Sequence, residues 1–264
     1  MNAFMTSRRN LIAGGAAAAA ATGLSILPTT RVSATMATPT NRPIPELAPY
    51  WKKLDLGEIL SRPAAFVSIS QVKSLYEPWG VQGGEKQWER GTLEATVRVA
   101  TSAREAGNFK SFNWIGYSVF RQEYPKSVFD EVQYDAWTGS LLDWPAEKRT
   151  ADNELAEPLK ALVQDGDLQY DEIALQSSFV GTPLLMELQR KRIETIVFTG
   201  IHLDWCIEGN ARSARDYGFL PIVVGDACSC QKWEDDEAAL RRINAFFAPV
   251  ISSETFVSLL QNRA

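Results

Sequence analysis

The last third of this chain constrains its fold most, because short apolar runs alternate there with helical segments. Residues 194–199 (ETIVFT) read as a buried strand, 206–217 as a helix stopped at Gly218, 219–224 (FLPIVV) as a strand, 233–247 as a helix and 249–251 as a short last strand. Runs that are apolar at every position belong to strands covered on both faces, and strands separated by helices pair in parallel. The same beat runs earlier. Residues 64–70 (AAFVSIS) form a candidate strand, and 88–106 show helical spacing, with Leu93, Val97 and Ala100 on one face and Gly107 as a stop. Further strands are expected within 111–120 and at 171–176, and helices at 153–163 and 183–192. Residues 121–150 are aromatic and irregular and read as an elaborated loop. The expected fold class is α/β, with a parallel sheet between two helical layers. Ligands of such sheets bind beyond the carboxyl ends of the strands, which points to Ser70 and to the loop after Thr199.

The N-terminus predicts export. Arg8 and Arg9 follow Ser7, a small-residue apolar stretch runs from Leu11 to Pro28, and A-x-A-like cleavage sites lie near Ala34 and Ala37. That is the layout of a twin-arginine signal peptide, and it makes the export machinery a partner and the periplasm or the exterior the destination. The expected division is a leader over 1–36, a polar lead-in over 37–62 and one domain over 63–264. A net charge of −5 with no basic stripe gives no footprint for a nucleic-acid partner. The three cysteines, Cys206, Cys228 and Cys230, are an odd number, and the last two are too close in sequence for an easy bridge, so they do not make a disulfide scaffold. A single histidine and no C-x-x-C pair argue against zinc, and no other cofactor is indicated.

Cys206 follows a strand, Gly200 and a short loop, and it opens a helix. A helix start offers unpaired N–H groups and the positive end of a dipole. Both favour a thiolate, the nucleophilic form of cysteine. Cys206 is therefore a candidate acyl-transfer nucleophile, with the N–H groups of Trp205 and Cys206 as oxyanion donors; in a plain core position the same residue would be inert filler. His202 is a candidate general base. Asp204 is either a base or the cap of the helix start. Cys228 and Cys230 read as structural, and Asp226 as a cap or loop-orienting residue. Trp79, Trp114, Trp137 and Trp144 fall in or near candidate loops, where they either wall a pocket for a ring-bearing substrate or pack in the core. Ser70-Gln71-Val72-Lys73 spells the S-x-x-K of serine amidases, but this serine ends a strand and the companion motifs are absent.

The stretch TGIHLDWCIEGNARSARDYGFLPIVVGDACS resembles the isochorismatase-like cysteine hydrolases. Thr199, Gly200, Ile201, Cys206, Ala211, Arg212, Ala214, Gly218, Asp226 and Ala227 match that family's strand–G-[VI]-x-T-x-x-C-V–helix–strand–D-A pattern. Upstream, Ser177, Phe179, Gly181, Thr182 and Leu184 resemble its S-A-F-x-G-T-x-L stretch. The resemblance implies a three-layer α-β-α domain with a doubly wound, mostly parallel sheet of about six strands. It implies hydrolysis of a C–N bond in a small amide, ureide or cyclic amide by Asp, Lys and Cys. Relatives often associate, so it also admits a homo-oligomer.

The sequence departs from that catalytic set twice. Counting from Pro63 puts Ser70 where the Asp belongs, with Ile69 or Ser68 in shifted register. Counting back six from Phe179 puts Ile173 where the Lys belongs, among Glu172, Ala174, Leu175 and Gln176. A serine hydroxyl is no base at neutral pH. Three readings stay open. The site is rebuilt with a base from Glu77, Lys73, Asp204 or the 121–150 loop; or Cys206 acts on a substrate needing little base assistance; or the chain is an exported homologue that binds a small ligand without hydrolysis.

Overall fold

Among the described residues, six strands form one sheet: β1 (Ala64–Ile69), β2 (Phe109–Gly116), β3 (Leu168–Asp171), β4 (Thr195–Ile201), β5 (Leu220–Ser229) and β6 (Val250–Ile251). Their order is β3-β2-β1-β4-β5-β6, and every neighbouring pair is parallel. This is the doubly wound α/β architecture that the alternation predicts. The computed structural model describes residues 43–117, 144–171 and 176–262, together with 128, 131 and 132. The expected leader, Trp137, most of the 121–150 loop and Ile173 with its neighbours at 172–175 lie outside the described residues.

Every residue of β1 and of β4 is buried, as the unbroken apolar runs require. Strand periodicity divides these residues between two cores. Ala65, Val67, Ile69, Phe198 and Val223 face one side. They pack there with Leu184 and Leu188 of α6 (Leu184–Arg190), Ala211 and Ala214 of α7 (Glu208–Asp216), and Leu240 and Ile243 of α8 (Asp236–Phe246). Ala64, Phe66, Val197 and Val224 face the other side, towards α1 (Leu56–Ser61), α3 (Thr92–Glu105) and α9 (Ser253–Gln261). In α3 the buried positions are Thr92, Ala95, Thr96, Val99, Ala100 and Ala103, a stripe at helical spacing. Short helices α2 (Lys73–Tyr76), α4 (Ala146–Ala151) and α5 (Glu157–Lys160) lie between β1 and β3 in the chain.

Several boundaries differ from expectation. The lead-in carries α1, whose N-cap Asp55 accepts a hydrogen bond from the Glu58 N–H at 2.9 Å. The third strand sits at 168–171, ahead of the expected 171–176. The helix expected over 153–163 is only the single turn of α5. Strand β5 continues five residues beyond Val224, because a register shift between Phe198 and Gly200 lets Cys228 and Ser229 pair with Gly200 and Ile201. Asp226, within that extension, accepts from the N–H and hydroxyl of Ser253 at 2.7 and 2.5 Å and so fixes the start of α9.

Candidate active site

The winding of the sheet reverses between β1 and β4, with β2 and β3 on one side and β5 and β6 on the other. A reversal of this kind leaves a crevice at the carboxyl ends of the two central strands. Ser70 and the loop from Gly200 to Cys206 both lie at that crevice, because Ile69 is in register with Gly200. The approach is close. A Cβ on Gly200 would lie 2.1 Å from the Ile69 carbonyl oxygen, and the φ of +125° is one that side chains rarely adopt. Only glycine lets β4 deliver its loop against the end of β1.

Beyond Ile201 the chain is extended at His202 and then winds into a π-helical turn, Leu203–Ile207, that leads into α7. The N–H groups of Trp205 and Ile207 both donate to the His202 carbonyl, at 3.2 and 3.0 Å. Single π-turns inside helices are frequent at functional sites. Cys206 lies in this turn, 5% exposed, in the core that also holds Ile69, Leu203 and Ile207. Of the two expected oxyanion donors, the Trp205 N–H thus already has an acceptor in its own turn.

Asn210 explains why two separate motifs belong together. Its side chain is fully buried, donates to the Cys206 carbonyl at 2.8 Å and the Gln176 carbonyl at 3.2 Å, and accepts from the Ser178 N–H at 3.0 Å. One amide thereby ties the Ser-Ser-Phe segment to the cysteine turn. Gly209 permits the contact, since a Cβ there would lie 2.5 Å from the Gln176 oxygen. Glu208, at the start of α7, anchors the turn on the other side through Arg212 and Arg242, each at 2.6 Å. Burial opposes its charge, but hydrogen bonds from Arg242 and Arg212 outweigh that and hold the carboxyl below its ordinary range.

The polar groups around the crevice are unequal in what they can do. His202 Nε2 lies 2.7 Å from Gln82 Oε1, and its ring stacks on Trp205. Burial, and then the charge of Arg90, push the imidazole down to about 4, so it is neutral and weakly basic at pH 7. Arg90 is held by the carbonyls of Cys230, Glu85 and Gln231 at 2.8–2.9 Å. Ser70 has a left-handed φ of 54° and is 2% exposed. Its N–H donates to the Ile115 carbonyl at 2.8 Å, while its hydroxyl has no hydrogen-bond partner among the described residues.

The remaining candidates are committed elsewhere or stand apart. The Lys73 amine lies 2.7 Å from both Glu154 and Glu157, whose hydrogen bonds raise its pKa and keep it an ammonium. That arrangement gives it a structural partner set in place of a base role. Glu77 is half-buried at the end of α2, its N–H on the Lys73 carbonyl. Asp204 is exposed, and no side chain caps the π-turn. Asp204 instead acts with Asp236 on Cys230, whose thiol is pushed up first by burial and then by these carboxylates. None of the three cysteines forms a disulfide. Trp114 is core, packed edge-on to Phe66, whereas Trp79 and Trp144 pack against each other with ring centroids 5.8 Å apart. Among the described residues no cluster of three His, Cys, Asp or Glu side chains is arranged to hold a metal. Asn210, Gln82 and Arg90 escape a reading of the sequence. Only Asn210 carries a signal, its spacing of four from Cys206 on one helix face.

The comparisons with known proteins agree with this fold. An isochorismatase domain matches residues 64–255. An uncharacterized isochorismatase family protein, YecD of Escherichia coli O157:H7, is 35% identical over 83 residues, 31% of this chain and 44% of the relative. The ureidoacrylate amidohydrolase RutB of Methylorubrum extorquens is 34% identical over 87 residues, 33% of this chain and 35% of the relative. The matched segments thus span less than half of those relatives. Among solved structures, a cysteine hydrolase from Pseudomonas syringae pv. phaseolicola superposes with a TM-score of 0.61 at 17% identity, covering 77% of this chain and 93% of the other. An N-carbamoylsarcosine amidase from Thermoplasma acidophilum gives 0.52 at 20% identity, covering 72% and 96%. At these identities the superpositions speak for the fold alone. The domain match spans most of the chain and takes in both the β1 and the β4 ends of the crevice, so the chain belongs to the isochorismatase family.

Proposed function

We propose that this protein is a hydrolase that cleaves a C–N bond of a small amide-like substrate with Cys206 as the nucleophile. The observation that carries the reading is the position of Cys206, on a π-turn at the sheet's switch point, where β1 also ends in a buried hydroxyl that lacks a partner among the described residues. Two relatives support the bond class through their names, one an amidohydrolase and one an amidase. In the proposed step the sulfur bonds to the carbonyl carbon, the C–N bond breaks, and the thiol proton ends on the leaving nitrogen. Water then cleaves the thioester, releasing the acid and restoring the thiol. His202 is too weak a base to dominate that transfer, and a substrate whose leaving nitrogen readily accepts a proton suits such a site.

A second reading, a ligand binder that does not hydrolyse, draws on the same end of β1, where Ser70 offers a hydroxyl and no carboxylate. One experiment separates the two. The protein is incubated with a panel of primary amides, ureides and cyclic amides, and products are identified by mass spectrometry. The hydrolase reading expects turnover of at least one class and a loss of about 1,000-fold or more in Cys206→Ala. Bound but unchanged ligand, equal in both proteins, selects the binder.

A further inference from the structure

We propose that Ser70 is a substrate-binding residue whose hydroxyl hydrogen-bonds the amide group held at Cys206 and selects uncharged amides over charged analogues. The inference rests on the hydrolase reading above and deepens it. Three independent features of Ser70 carry it. Its backbone is left-handed at φ 54°, an unfavourable conformation for a residue with a Cβ. Such conformations persist where the surroundings over-determine them, and they cluster at functional sites. Here the Ser70 N–H is fixed to Ile115, and the flanking residues are fixed by a buried chain. In that chain the Ser68 hydroxyl donates to Gln71 at 2.8 Å, Gln71 donates to the Tyr76 hydroxyl at 3.2 Å, and the Tyr76 and Thr92 hydroxyls meet at 2.9 Å.

Second, the hydroxyl is buried with no partner among the described residues. An unmade buried hydrogen bond is a cost, and a ligand that completes it removes that cost. Third, the residue directly follows Ile69, the register partner of the Gly200 backbone that delivers Cys206. The chemistry of the ligand follows from the hydroxyl. It both donates and accepts, as an amide requires, and it brings no charge. A carboxylate or ammonium buried against it stays unpaired, which disfavours charged analogues.

Alkylation of Cys206 tests this with iodoacetamide, itself a small primary amide, and iodoacetate, its charged counterpart. Methyl methanethiosulfonate, a small thiol reagent with no amide, is the control. Rates are mapped to Cys206 by mass spectrometry in the wild type, Ser70→Ala, Ser70→Gly and Ser70→Asp. The expected result is an iodoacetamide-to-iodoacetate ratio above that of free cysteine, falling about ten-fold in Ser70→Ala and Ser70→Gly. The methyl methanethiosulfonate rate stays within two-fold, and Tm is unchanged or higher because an unmade hydrogen bond has been removed. Ser70→Asp slows iodoacetate more than iodoacetamide. The proposal is overturned if the ratio is the same in the wild type, Ser70→Ala and Ser70→Gly, or if all three reagents slow together with a fall in Tm, the signature of a merely structural serine. A wild-type Cys206 no more reactive than free cysteine towards any reagent overturns the hydrolase reading, and this proposal with it.

Discussion

The ends of β4 and β5 lie side by side, and each leads to a cysteine, yet the polar groups placed at the two ends differ. Ile201 and Ser229 are register partners, with Cys206 five residues beyond the first and Cys230 directly after the second. At the β5 end, Cys230 is fully buried, its N–H donates to the Asp236 carboxylate at 2.6 Å, and its thiol feels both Asp204 and Asp236. Burial and two negative neighbours all disfavour a thiolate there. At the β4 end, the groups brought to the crevice are the neutral imidazole of His202 and the hydroxyl of Ser70, and the carboxamide of Asn210 holds the Cys206 carbonyl. Position at the carboxyl edge of a parallel sheet is therefore not enough to make a nucleophile. Burial first, and then the charges of Asp204 and Asp236, keep the Cys230 sulfur from ionising.

The contrast extends to the backbone, where it is broken most severely. A methyl group on Gly200 meets the backbone of Ile69 at 2.1 Å, and backbone cannot step aside. Gly225 in β5 is also crowded, but by the side-chain tips of Ile44, Leu240 and Val250 at 2.8–3.0 Å, which can rotate. Gly200→Ala is expected to cost more than about 4 kcal/mol in urea unfolding, or to prevent folding, and Gly225→Ala about 1–2 kcal/mol. Equal losses would mean that the two strand ends are equally tolerant.

Acid should act next, through His202. Its ordinary value is 6.5 and its folded value about 4, so the unfolded chain binds the proton more tightly. The stability held by the neutral ring is complete above pH 6.5 and is lost as pH falls towards 4, by about 3 kcal/mol in all. His202→Gln should flatten that limb by this amount relative to the wild type. As the chain has one histidine, its NMR titration is unambiguous, and a midpoint near 6.5 would refute the burial of the ring.

The sequence carries the fold well because each buried strand is an unbroken apolar run, and unbroken runs flanked by helices permit few other arrangements. Cys206 and its loop are legible for a related reason: Gly200 and the helix that follows leave a periodic trace. The end of β5 is not legible, since Gly225 and Asp226 read as breakers, and only the register shift opposite Phe198 shows how the strand absorbs them. Nor are the partners of His202. Gln82 is 120 residues away, and Arg90 acts through charge across the fold. Contacts between distant, solitary polar residues leave no period to detect. Lys73 shows the converse error. Its proximity to Ser70 in sequence suggested a site role, but its amine turns to Glu154 and Glu157.

The finest division of the two cysteines lies in Asp204. It sits two residues before Cys206, where the sequence offers it as a base for that thiol or as a cap of the helix start, but its charge and hydrogen bond bear on Cys230. Asp204→Asn removes one of two carboxylates from Cys230 and leaves its burial intact, so the thiol should fall only part of the way back. A drop of one pKa unit is about 1.4 kcal/mol and raises the thiolate fraction about ten-fold at any pH well below the midpoint. Modification of Cys230 by methyl methanethiosulfonate at pH 9 should then rise, with the ratio of the two thiol rates moving towards Cys230. Asp236 is the poorer choice for this test, because its carboxylate also holds the Cys230 N–H. Should the Cys206 rate fall while Cys230 stays unmodified, Asp204 belongs to the nucleophile after all, and the two strand ends share one electrostatic environment.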